Sequence, residues 1–367
     1  RIPLSRGQRN MSERHTDVAT PAESLGPLLD SIDLMYETGW TDGLPVVPPT
    51  RERVKQFTDV LSPRDPDELI AEIPPLGGNA TIERVAVNAV MAGCLPEYMP
   101  VVVAAIKAMV DDRFNLRGVQ CSTGIHTPLV IVNGPIAKKL DINSGYNCFG
   151  QGWRANATIG RAVKLVLVNL GGAFPGETNK STFGHPGSYT YCMAEAEDAS
   201  PWEPYHVELG YAAEDSTVTV FPAEAPHNVM YHAANSRDFL TVLADTMCTL
   251  GNVQMYVMGS TCVVLGPEHA RMLSEDRWRK RDIKTFLFEH ARKPVRLLKH
   301  GGPPVGDSQR SHLWPRFVDA DDDDQMVPVV RRPEDIHIFV AGGAGGPHSA
   351  YLPGWGSRMV TEKIQEA

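Results

Sequence analysis

Leu25, Leu28, Leu29, Ile32, Met35 and Tyr36 recur at helical spacing, which predicts a helix over Leu25 to Glu37, stopped at Gly39. Pro45, Pro48 and Pro49 remove backbone donors from the next stretch, so Thr38 to Thr50 reads as an extended connector, with Thr50 placed to cap a following helix. From Ile73 to Cys94 a Pro/Gly turn feeds a helix begun at Asn79 or Thr81, with Ala86, Val87 and Val90 inward. Pro100 to Val110 is a strongly apolar helix. Another helix is expected from about Ala155 to Leu170, starting on Asn156 or Thr158 and ending before Gly171-Gly172. Ser216 to Phe221 alternates cleanly and reads as a half-buried strand.

One arrangement recurs. Pro100 to Lys139 reads helix, Val119-Gln120, a short strand or turn, the apolar strand TPLVIVN, Gly134-Pro135 and a second helix. Ser236 to Leu273 repeats the order with Val253-Gln254, the strand CVVL and Gly266-Pro267. Ile336 to Gly346 is a third, weaker echo, a strand ending in glycines. The fold class expected is α/β: a layered sheet with helices, built on a duplicated helix-strand-strand-Gly-Pro-helix unit, with an N-terminal helical extension. Residues 1–21 read as a leader without apolar periodicity, upstream or vector-derived. Residues 22–115 form the helical segment and Pro-rich connector, 116–235 the first α/β unit, and 236–367 the second, which carries the acidic run Asp319 to Asp324.

Composition narrows the function classes. The 367 residues carry 35 Lys+Arg against 44 Asp+Glu, a formal charge of −9, with no basic stripe. Nucleic-acid binding, which needs clustered cations to displace counterions, is not expected. No apolar run approaches the roughly 18 residues of a membrane span. Six scattered cysteines without a CxxC pair fit free thiols in a reducing, cytoplasmic setting. HExxH, GxxxxGK[ST] and GxSxG are all absent. No cofactor is expected, and a metal held by scattered His and carboxylates stays open.

Cys121 and Cys262 occupy mirror-like settings, CSTG and GSTC, each followed by a histidine, His126 or His269. A thiolate needs such a partner to form near neutral pH. Cys121 is therefore the candidate nucleophile with His126 assisting, and Glu195 or His185 the candidate proton carrier; Cys262 is a second candidate thiol. Arg154, Asn156 and Arg161 at a helix start are candidate clamps for a carboxylate or phosphate, with Asn147, Tyr191 and His348 as further binding candidates. The glycines Gly342 to Gly346 are a candidate anion cradle, with a tight backbone crossing as the alternative. These residues point to hydrolytic or lyase-type chemistry on a small anionic organic substrate. The alternatives are a thiol- or selenol-dependent oxidoreductase, in which Cys121 and Cys262 approach each other, and a non-catalytic binding or scaffold subunit.

GWTDGLPVVPPT (Gly39 to Thr50) and ANATIGRA (Ala155 to Ala162) resemble a large bacterial family without a settled function, over most of the chain after Asp30. Some of its members are encoded beside, or fused to, proteins with a Cys- or selenocysteine-containing Gly-Ser-Cys motif. The resemblance implies a partner subunit with a reactive thiol or selenol; a homo-oligomer is the other association expected. Met258-Gly259-Ser260-Thr261-Cys262 does not match that motif. No catalytic residue carries over.

Overall fold

The computed structural model describes residues 28–232, 235–301 and 317–365. The leader expected at 1–21 and the start of the first predicted helix lie outside them. Helix α1 spans Leu28–Thr38, and α2 spans Arg51–Asp59, capped by Thr50, whose hydroxyl accepts from the Arg53 N–H as expected. A short hairpin, β1 (Leu69–Ile73) and β2 (Gly78–Thr81), delivers the chain to α3 (Ile82–Ala92). Of the two expected caps, Thr81 is the one used. Helix α4 spans Met99–Val110 and is buried almost throughout.

The two expected repeats share one plan. In the first, α4 leads to α5 (Leu116–Cys121), strand β3 (Thr127–Asn133) and α6 (Pro135–Lys139); then come α7 (Arg154–Asn169), β4 (Cys192–Ala194), the short α8 (Tyr205–Glu208) and β5 (Thr217–Ala223). After β6 (His227–Met230) the second runs α9 (Ser236–Met247), α10 (Gln254–Val257), β7 (Thr261–Leu265), α11 (Pro267–Glu275) and α12 (Lys280–His290). A second hairpin, β8 (Arg292–Pro294) and β9 (Met326–Pro328), flanks the one-turn helix α13 (Val295–Leu298). Strands β10 (Ile336–Val340), β11 (His348–Leu352) and β12 (Val360–Lys363) follow. The Val-Gln pairs, to which the sequence assigned no element of their own, belong to short helices: Val119-Gln120 lies within α5, and Gln254 opens α10 after its cap Val253. Their glutamines turn inward: Gln120 donates to the Pro74 carbonyl, and Gln254 bonds Gly259 O at 3.0 Å and the Gly354 N–H at 3.0 Å.

The strand pairings carry the repeat further than the sequence did. Strand β3 pairs in parallel with β4 and antiparallel with β5; β7 pairs in parallel with β10 and antiparallel with β11. Each four-stranded sheet is then completed by the other repeat. Strand β12, at the end of the second repeat, adds antiparallel to β5, while β6, at the end of the first, adds antiparallel to β11. The boundary expected near residue 235 is therefore crossed twice by exchanged edge strands.

Alternation along the strands sets the layers. On β3, Val130 and Val132 join the cluster with α3, α4 and α7, whereas Leu129 and Ile131 join Phe339, Val264 and Leu352 of the other sheet. On β7, Val263 and Leu265 face α9 and α12, whereas Cys262 and Val264 face the first sheet. The result is four layers, helices on sheet on sheet on helices. This explains the departure at β5: every residue from Thr217 to Ala223 is buried, because both faces of its sheet are covered. Gly134 and Gly266 end the two central strands for a shared reason. A Cβ at either position would meet the Asp215 or His348 carbonyl oxygen respectively, and Gly134 also has φ +86°.

Candidate functional site

Residues 39–50 and 155–162 are bonded to each other. Arg161 on α7 makes two 2.8 Å bonds to the Asp42 carboxylate and a third, of 2.9 Å, to Pro45 O. Arg154 donates to Gly93 O at 3.0 Å and Cys94 O at 3.3 Å, closing the C-terminal end of α3. Buried Asn156 accepts from the Asn143 N–H and donates to Asn143 O, Cys148 O and Cys192 O. All three expected anion clamps thus spend their polar groups within the chain. Asn147 holds a turn at φ +59° and bonds Gln151 O, and His348 lies exposed on β11 against Asn228. In the glycine run, the Gly345 N–H bonds the Glu268 carboxylate, so an internal anion occupies that part of the cradle.

The expected catalytic residues divide between opposite ends of the first sheet. Glu195 follows the C-terminal end of β4 and is buried, accepting from Asn133 Nδ2 at 2.6 Å and the Tyr205 N–H at 2.8 Å. Lys280 Nζ stands 3.6 Å from Glu195 Oε1 and 3.4 Å from Glu208 Oε2, so α12 of the second repeat neutralises carboxylates of the first. Burial pushes the Glu195 carboxyl up, opposed chiefly by Lys280. Glu195 and Lys280 are sealed from solvent, Glu208 sits at the half-buried rim, and the network serves the joint between the repeats. Cys262 is sealed as well, at 0% exposure between the sheets, where burial raises its thiol far above the ordinary range. Neither thiol is paired: all six cysteines are free, and Cys121 is the one that is not buried.

His126, His185 and Tyr191 do come together, at the end where β3 begins and β5 finishes. The His185 ring packs edge-on against Tyr191 with centroids 5.6 Å apart, and its Nε2 lies 3.4 Å from Ala223 O, the residue that pairs with Thr127. The Tyr191 hydroxyl donates to Glu224 O at 3.1 Å. His126 Nε2 stands 3.6 Å from the Glu224 carboxylate, and both of its ring nitrogens are buried without a hydrogen bond. The Cys121–His126 pair expected from the sequence is therefore not formed. Burial and the nearby His185 lower the His126 imidazole to about 4, so it is neutral; burial also lowers His185 and raises the Glu224 carboxyl.

Three residues of this end were missed by sequence reasoning: Lys164, Glu224 and Trp355. Lys164 extends from α7 and is half-buried, and its one hydrogen bond among the described residues is to Thr127 Oγ1 at 2.8 Å. It has no carboxylate partner there, and burial lowers its ammonium to about 8. The signal was in the pattern: one lysine inside the apolar run Ala162-Val163-Lys164-Leu165-Val166-Leu167. Trp355 belongs to the crossover from β11 to β12 and tilts over His126 with ring centroids 5.8 Å apart. Gly118 on α5 leaves room for it, since a Cβ there would press on the indole. Glu224 begins the opposite crossover, from β5 to β6, and its N–H donates to Pro353 O at 3.0 Å. Both strand-exchange connections thus meet at this one place.

A lysine with a lowered pKa and no carboxylate partner among the described residues, two neutral imidazoles and a carboxyl with a raised pKa, all at a half-buried edge, form a group suited to nucleophilic and proton-transfer chemistry. Among the described residues no group of His, Cys, Asp and Glu is arranged to hold a metal ion, and no helix is long and apolar enough to cross a membrane. No family model, curated protein or solved structure matches the chain.

Proposed function

We propose that this protein is an enzyme of the lyase or hydrolase type acting on a small anionic organic substrate that carries a carbonyl group, with Lys164 rather than Cys121 as its nucleophile. The observation behind this is the Lys164 amine itself, with Thr127 Oγ1 as its one hydrogen-bond partner among the described residues and a pKa near 8. At pH 7 roughly a tenth of such an amine is free base, against less than about a thousandth for an ordinary lysine. The protonated majority draws an anionic substrate in; the neutral fraction attacks its carbonyl carbon. The C–N bond forms, the carbonyl oxygen leaves as water, and the resulting iminium makes the neighbouring carbon acidic. Thr127 orients the amine. Its own hydroxyl is unsuited to act as nucleophile, because the residue is only 1% exposed.

The thiol-based alternative retains one supporting observation, the half-buried Cys121 at the end of α5, next to the loop that carries His126. Six free thiols also fit the reducing, cytoplasmic setting proposed here. Borohydride reduction with a panel of small oxo acids separates the two readings. A reduced adduct on Lys164, with acylation of that amine titrating near pH 8, is the expected result. An unmodified Lys164 across the panel, or titration at the ordinary lysine value, overturns the proposal. Rapid alkylation of Cys121 that abolishes turnover while Lys164 stays unmodified would favour the thiol.

A further inference from the structure

We infer that Glu224 is a further catalytic residue, the base that removes a proton from the carbon next to the substrate carbonyl, with His126 positioning it and sharing that proton. The inference rests on the reading of Lys164 as the nucleophile and names the second half of that reaction. Its basis is how this carboxylate is held. The Glu224 backbone is pinned from both sides, its carbonyl by the Tyr191 hydroxyl at 3.1 Å and its N–H by Pro353 O at 3.0 Å. The side chain then faces His126 Nε2 at 3.6 Å. That imidazole has no hydrogen-bond partner among the described residues, and Trp355 limits its movement.

A gap of 3.6 Å is longer than a hydrogen bond and of the kind that tightens when a ligand closes the site. A buried histidine lacking both of its bonds is costly to keep, which a purely structural role leaves unexplained. The placement also fits the sequence of events. His126 precedes Thr127, the residue that holds the Lys164 amine, and Glu224 follows Ala223, the strand partner of Thr127. The amine's hydrogen-bond partner and the carboxylate are thus delivered by adjacent ends of one antiparallel pair.

Once the iminium has formed, the Glu224 carboxylate takes a proton from the adjacent carbon. The electron pair of that C–H bond becomes a C=C bond, and the C=N π pair moves onto the nitrogen. The product is a neutral enamine on Lys164 and a proton shared between Glu224 and His126. Return of a proton to carbon and attack of water on the iminium regenerate the amine and the carbonyl compound, so no oxidant or reductant is required.

The test uses the full chain with pyruvate as probe and two readouts: borohydride-trapped adduct by intact mass, and exchange of the methyl hydrogens in D2O by proton NMR. Wild type is expected to trap and to exchange. Glu224→Gln should still trap but exchange about 100-fold or more slowly, with partial rescue in Glu224→Asp. Lys164→Arg should do neither. Trapping and exchange both at wild-type rates in Glu224→Gln overturn the assignment to Glu224 while leaving Lys164 in place. Loss of trapping in Glu224→Gln with an unchanged circular dichroism spectrum also overturns it, because the carboxylate then serves iminium formation. Absence of both signals in wild type fails the Lys164 reading, and the Glu224 inference falls with it.

Discussion

Lys164 gives up stability for reactivity, and that exchange can be measured. Its folded-state pKa is near 8 against an ordinary 10.5, so the folded protein binds this proton less well than the unfolded chain does. The cost stands in full below about pH 8 and fades as pH rises from there toward 10.5. Lys164→Met is therefore expected to raise stability at pH 7 by roughly 1–3 kcal/mol, since each tenfold change in proton affinity is worth about 1.4 kcal/mol and partial exposure discounts the total. It should abolish adduct formation at the same time. Urea denaturation at pH 7 and pH 10 checks this: the advantage of the variant over wild type should shrink at the higher pH, and a loss of stability at pH 7 would make Lys164 a structural residue. Arg161 behaves in the opposite way. Its side chain and that of Asp42 are 15% and 7% exposed, so Arg161→Ala strands a buried carboxylate and should cost about 3–5 kcal/mol. An unchanged denaturation midpoint would contradict the clasp between α7 and the Pro-rich connector.

At the scale of elements, local signals succeeded where the physics is local. Thr50 and Thr81 cap their helices because a β-region hydroxyl can reach an N–H three residues on, a relation within one turn. Gly-Pro marks both helix starts after the central strands, since proline suits the first helical turn and glycine permits the close crossing before it. Gly134→Ala forces φ +86° on a side-chain residue and should cost about 1–3 kcal/mol from backbone strain alone, more with the collision against Asp215 O. A melting temperature within 1–2 °C of wild type would count against the close crossing. The misreadings are also instructive. The Val-Gln segments proved helical, and their glutamines reach distant groups, the Pro74 carbonyl for Gln120 and the Gly354 N–H for Gln254, which no window around them contains. Strand β5 alternates in sequence, but its alternate face meets a second sheet instead of water.

The whole molecule is held together by exchange. Each sheet needs its fourth strand from the other repeat, and the Glu195–Lys280–Glu208 network adds an ionic joint across the same boundary. Residues 236–367 expressed alone should therefore fail to give a cooperative thermal transition, while co-expression with the first repeat restores one. An independently folded second repeat would refute the structural importance of the exchange. Lys280→Met leaves buried Glu195 without its cation, while Glu208 keeps Lys284, and should cost about 3–5 kcal/mol, read as a lower denaturation midpoint for both repeats together. The sequence by itself determined the α/β class, the Thr50 cap, most helices and strands, and the repeated helix-strand-Gly-Pro order, but not the start of α7, which was expected on Asn156 or Thr158 and begins at Arg154 after Trp153 with no side-chain cap. It did so because these depend on spacing and on residues within a turn of one another. It also picked out His126, His185 and Tyr191, which the fold unites, but it placed with them Glu195, Cys262 and an arginine pair that the fold sends elsewhere. Only the tertiary structure decided that Lys164 has no carboxylate partner among the described residues, that Glu224 and Trp355 arrive on the two crossovers, and that the edge strands change places. Burial and the absence of a counter-charge are properties of everything packed around a side chain, and the chain's own order does not carry them.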